Sequence, residues 1–172
     1  MFMLQIRGYA ASLASDLPSN NMYRTLAITL VFTLLTFKSI GQSKALKFEE
    51  LDELQGAVQK PVIVLIMTDW CKFCHAMQNS LLRNQKLQPL VSSKFYTVFL
   101  DAEERSDILF AGRTFKYKSG INQLARELAT KNGKISYPTL CILNSNSEII
   151  YQHEGYLSPQ ELLYTLKKIT EI

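Results

Sequence analysis

The feature that most constrains this chain is an apolar strand pattern that runs almost directly into a pair of cysteines. Val62-Ile63-Val64-Leu65-Ile66-Met67 is an unbroken apolar run rich in β-branched residues, as expected of a strand covered on both faces of a sheet. Thr68-Asp69-Trp70 turns the chain, and Cys71-Lys72-Phe73-Cys74 opens a helical stretch reaching about Arg83. A strand of this kind needs helices on both sides. The expected class is therefore α/β.

The flanking segments supply those partners. Phe48 to about Lys60 carries early acidic residues and apolar residues at helical spacing, and Pro61 ends it. A short helical piece is expected near Leu87 to Val91, and Phe95-Tyr96-Thr97-Val98-Phe99-Leu100 reads as a second strand ending in Asp101. Aromatics around Gly112, within Ile108 to Tyr117, suggest a small hairpin or extended excursion. Ile121 to Lys131 has a helical pattern, broken by Asn132-Gly133. Leu140-Cys141-Ile142-Leu143 and Glu148 to Gln152 are strands joined by the turn Asn144-Ser145-Asn146-Ser147. Ser158-Pro159-Gln160-Glu161 combines a capping box with proline at the first helical position. The order predicts a central mixed sheet of about four strands flanked by helices.

The cysteine placement has chemical content. Free N–H groups and the dipole at a helix N-terminus favour negative charge. Cysteines in such settings commonly titrate at about 3.5–7.5, against about 8.5 when free. Cys71 is thus the expected nucleophile. Cys74, about one turn later, is placed to resolve a mixed disulfide. Other readings use the same residues. A structural disulfide closes too short a loop to restrict the unfolded chain much. Zinc would need further ligands, with only Cys141, His75 and His153 on offer. Cys71-Lys72-Phe73-Cys74-His75 also fits covalent haem attachment, although a buried strand before the motif is foreign to that context.

Of the 172 residues, 47% are hydrophobic and 20% charged, with a formal net charge of +4, a profile of one globular domain. No basic stripe with interleaved aromatics points to nucleic acid. The N-terminal part differs from the rest. Leu26 to Phe37 is an uncharged apolar run between Arg24 and Lys38. It is shorter than the roughly 20 residues that span a bilayer, and small residues follow it. This reads as a signal peptide over 22–41, cleaved before Gln42, with an uncleaved membrane anchor as the other reading. Residues 1–21 are expected to carry no fold, as a dispensable tail or an over-extended reading frame. The folded domain is expected over 42–172.

Trp70-Cys71-Lys72-Phe73-Cys74-His75 after an apolar strand resembles the thioredoxin superfamily, and most of all its exported bacterial thioredoxin-like branch. Tyr137-Pro138-Thr139 resembles the family's cis-proline loop, and Gly155-Tyr156-Leu157-Ser158 its glycine turn before the final helix. The resemblance covers about Phe48 to Ile172. It implies a thioredoxin fold with an insertion, Glu103 to Gly133, before the cis-proline strand. It also implies thiol–disulfide exchange with protein thiols or disulfides in the periplasm, served by a separate redox donor or acceptor protein and no cofactor. The same resemblance makes Trp70 a packing lid over the sulfurs and gives Tyr137 and Pro138 a substrate-binding role. Lys72 and His75 are candidates for tuning the thiolate, although both are also ordinary helix-surface residues. Met77, Phe110, Phe115 and Tyr117 read as packing residues.

One departure bears on mechanism. The family's buried aspartate falls at Leu65 and its lysine partner at Thr97, so the pair that assists the second cysteine is missing. Glu103, Glu104 or a water are the candidate substitutes. The redox pair could therefore be weak, leaving a binding or chaperone-like module on the same fold.

Overall fold

The computed structural model describes residues 45–171. The expected tail, signal segment and cleavage position before Gln42 all lie outside the described residues, as do the first three residues of the expected domain. In chain order the elements are α1 (Phe48–Ala57), β1 (Val62–Met67), α2 (Lys72–Arg83), α3 (Gln88–Lys94) and β2 (Tyr96–Asp101). The hairpin β3 (Ile108–Phe110) and β4 (Arg113–Phe115) follows, then β5 (Tyr117–Lys118), β6 (Ile121–Asn122) and α4 (Gln123–Ala129). The chain closes with β7 (Thr130–Lys131), β8 (Lys134–Ile135), β9 (Thr139–Leu143), β10 (Ile149–Glu154) and α5 (Pro159–Thr170).

The central sheet has four strands in the order β10-β9-β1-β2. β1 runs parallel to β2 and antiparallel to β9, and β9 runs antiparallel to β10. This is the mixed sheet expected from the sequence. All of β1 is buried because alternate side chains feed two cores. Val62, Val64 and Ile66 meet Phe48 and Leu51 of α1 and Leu124 and Leu128 of α4. Ile63 and Leu65 meet Met77 and Leu81 of α2, Val91 of α3 and Leu162 and Leu166 of α5. Each such side chain contributes about 1.5–3 kcal/mol by leaving water, so β1 anchors the site that follows it.

Two boundaries differ from the sequence expectation. α1 ends at Ala57 rather than near Lys60, because the Gln55 side chain both accepts from Lys60 N–H (2.9 Å) and donates to Lys60 C=O (2.7 Å). That clasp replaces a further helical turn. The helix expected over Ile121 to Lys131 is confined to Gln123–Ala129. Asn122 caps it by accepting from Leu124 N–H at 3.0 Å, and Thr130–Lys131 pairs instead with Lys134–Ile135. The turn between them uses positive φ at Asn132 (51°) and Gly133 (74°), geometry that these residue types tolerate best.

Candidate functional site

Cys71 occupies the N-cap of α2, and its sulfur accepts from the Cys74 backbone N–H at 3.2 Å. The same Cys74 N–H also reaches the Cys71 carbonyl at 3.1 Å, so the helix start shares one donor between the backbone and the sulfur. Cys71 and Cys74 are joined as a disulfide. Cys71 retains 7% exposure and Cys74 none, so only the first can be reached from solvent. Both pack with Met67, and Phe99 and Tyr137 close the cluster.

The segment after β8 reaches the cysteines through Tyr137. The Tyr137–Pro138 bond is cis, as the resemblance implies, and Tyr137 packs on the cysteine cluster. Pro138 C=O accepts from Gly155 N–H at 2.8 Å, tying the start of β9 to the turn before α5. Gly155 makes this turn at φ 92°, a conformation costly for residues with a Cβ. Leu157 N–H, two residues on, donates to Met77 Sδ of α2 at 3.4 Å.

Two aromatic pairs bridge the cysteine motif and this turn region. Trp70 meets Tyr137 edge-on at 6.0 Å, and Phe73 meets Tyr156 at 5.7 Å. Trp70 is 67% exposed and Phe73 65%. Trp70 stands on the rim beside Cys71, where its indole meets Tyr137 and donates Nε1–H to Glu103 at 3.4 Å. His75 is half-buried, with Nε2 2.9 Å from the Asp69 carbonyl. It thus holds the turn before Cys71, a role its sequence position did not reveal. Lys72 is exposed beside Cys71.

Leu65 is fully buried among Ile63, Met77 and Leu81, and Thr97 is buried in β2 beside Ile63. Glu103, offered by the sequence as a substitute, lies on the exposed rim at Trp70. Glu104 instead accepts from the Ser106 N–H and hydroxyl, which hold its carboxyl below the usual range. Asp101, at the end of β2, is held above the ordinary carboxylate value, first by burial and then by Asp69, Glu103 and Glu104, while the Glu103 N–H opposes this. Neither Asp101 nor the Phe73–Tyr156 pair was singled out from the sequence. Phe73 and Tyr156 are far apart in the chain, and only the fold brings them together.

Residues 48–170 match the family described as Thioredoxin-like domain. The chain belongs to the thioredoxin-like family. Solved structures of similar thioredoxin fold include a disulphide isomerase from Xylella fastidiosa Temecula1, 22% identical, TM-score 0.51, covering 71% of this chain and 87% of that one. A thioredoxin-fold protein from Helicobacter pylori is 15% identical, TM-score 0.53, with 78% and 81% covered. Thioredoxin F from spinach chloroplast is 20% identical, TM-score 0.50, with 78% and 99% covered. No curated protein sequence matches the chain. Among the described residues, no helix of this thioredoxin-like chain is long and apolar enough to cross a membrane.

Proposed function

We propose that this chain is a thiol–disulfide oxidoreductase acting on protein substrates, with Cys71 as nucleophile and Cys74 as resolving thiol. The observation that carries this is the placement of Cys71 at the α2 N-cap, its sulfur on the Cys74 N–H, facing the Pro138 loop. In the reduced protein the Cys71 thiolate attacks a substrate disulfide, forming a mixed disulfide and releasing one substrate thiolate. Cys74 then gives up its proton to solvent and attacks the Cys71 sulfur. The second substrate thiolate leaves, the Cys71–Cys74 disulfide returns, and two electrons have passed to the substrate. A dithiol donor restores the reduced pair.

Trp70, Tyr137 and Pro138 frame the substrate in this reading, and Lys72 and His75 flank the thiolate. The name of the disulphide isomerase relative agrees with this class of chemistry. The apolar run Leu26–Phe37 supports export to the periplasm with cleavage near Gln42. Buried Leu65, where the family carries an acid, favours a second reading in which resolution by Cys74 is slow and the domain chiefly binds. Insulin reduction driven by dithiothreitol separates the two. Catalysis abolished by Cys71→Ser supports exchange; a wild-type rate equal to that of the Cys71→Ser variant refutes it.

A further inference from the structure

The rim beside Cys71 carries exposed aromatic surface and negative charge together. The Trp70 ring stands open to solvent, with its Nε1–H on the Glu103 carboxylate at 3.4 Å. Asp69 is exposed next to it in the chain, and the charges of Asp69, Glu103 and Glu104 all act on Asp101. Ion pairs among the described residues join Arg113 to Glu127, Lys116 to Asp107 and Lys168 to Glu171, and none of them neutralises this rim. Lys47 acts at Glu104 and Arg126 at Tyr137, while Lys72 is exposed on the far side of Cys71 in sequence. The whole chain is positive, at +4. Long-range attraction therefore favours acidic partners, and a preference for basic ones has to come from this rim.

Resting on the exchange reading above, we propose that the Trp70–Glu103 rim selects extended polypeptide substrates carrying an arginine or lysine next to the reacting cysteine. The cation lies over the Trp70 ring and pairs with Glu103, with Asp69 adding attraction. An aromatic face and a carboxylate at one point suit a guanidinium or ammonium group, since cation–π attraction and a charge-assisted hydrogen bond act on the same ion. On the other side of the motif, Phe73 and Tyr156 offer an uncharged aromatic surface, so the basic side chain has one place to go.

The test uses the reduced full chain and three short peptide disulfides with Arg, Ser or Glu beside the cysteine, with neutral hydroxyethyl disulfide as reference. Each peptide rate is divided by the reference rate. At low salt the Arg peptide is expected to exceed the Glu peptide about tenfold or more. The ratio should narrow at high salt and in an Asp69→Asn, Glu103→Gln double variant, whose fold is checked by circular dichroism. Reaction with hydroxyethyl disulfide combined with an Arg-to-Glu ratio near one overturns this inference alone. A ratio that persists unchanged in the double variant also overturns it, because the preference then lies elsewhere. No reaction with hydroxyethyl disulfide or with any of the three peptides overturns the exchange reading itself.

Discussion

The Cys74 backbone N–H donates to the Cys71 sulfur at 3.2 Å, so one cysteine supplies the donor placed to stabilise a thiolate on the other once the pair is reduced. This bond belongs to the helix start, which is fixed by β1 behind it and independent of the side chains on the rim. Electrostatic support for the proposed nucleophile is thus built into the backbone, while the proposed substrate preference can vary on the surface.

Alkylation of the reduced protein at neutral pH should label Cys71 first, Cys74 later and Cys141 last. Cys141 is fully buried in β9, its thiol donates to Leu128 C=O at 2.8 Å, and burial pushes its pKa up to about 12. Its labelling should track unfolding, appearing only as denaturant opens the domain. Peptide mapping of a time course checks this. Early labelling of Cys141 in native protein would contradict it.

Restoring the family's acid by Leu65→Asp should destabilise the domain by at least about 3 kcal/mol, combining lost packing with a buried carboxylate. Leu65 is wholly enclosed by Met77, Leu81 and their neighbours. Urea unfolding measures the cost. A change under about 1 kcal/mol would mean that water reaches this part of the core.

Asp101→Asn should change how stability depends on pH. The folded-state pKa of Asp101 is raised above 3.8, chiefly by burial. Between that ordinary value and the raised one, the folded protein holds the proton more tightly than the unfolded chain. The group's contribution to stability therefore falls as pH rises through that window. Denaturant midpoints across mildly acid pH should fall less steeply with rising pH in the variant. An unchanged profile would remove Asp101 from the account.

Ser158→Ala should cost about 1 kcal/mol through loss of the α5 cap. Ser158 N–H and hydroxyl both donate to Glu161, and Glu161 N–H returns to the Ser158 oxygen at 3.4 Å. These bonds hold the Glu161 carboxyl below its ordinary value, so its stabilisation is present above that value and lost as pH falls through the lowered one. Thermal unfolding at neutral and acid pH should show the variant's deficit shrinking in acid.

The fold was legible where local pattern and burial agree. β1 reads as buried because both of its faces carry apolar residues, and α5 announces itself through Ser158, Pro159 and Glu161. The Cys71–Cys74 placement was equally legible, since a strand followed by a capped helix is a local arrangement. The region from Ile121 to Ile135 was less so. Its short strands depend on turns at Ser119-Gly120 and Asn132-Gly133 that helical periodicity does not register. Trp70 on the rim, Phe73 against Tyr156 and the charge collected at Asp101 depend on contacts distant in the chain. No spacing rule reports those.

The central claim is that Cys71 attacks substrate disulfides and Cys74 releases them. The most direct measurement is mass spectrometry of a reduced Cys74→Ser variant mixed with a protein disulfide substrate. The account predicts a stable mixed disulfide mapped to Cys71, absent from a Cys71→Ser variant treated in the same way. An adduct mapped to Cys74 in the Cys71→Ser variant, with none at Cys71 in the Cys74→Ser variant, would contradict it.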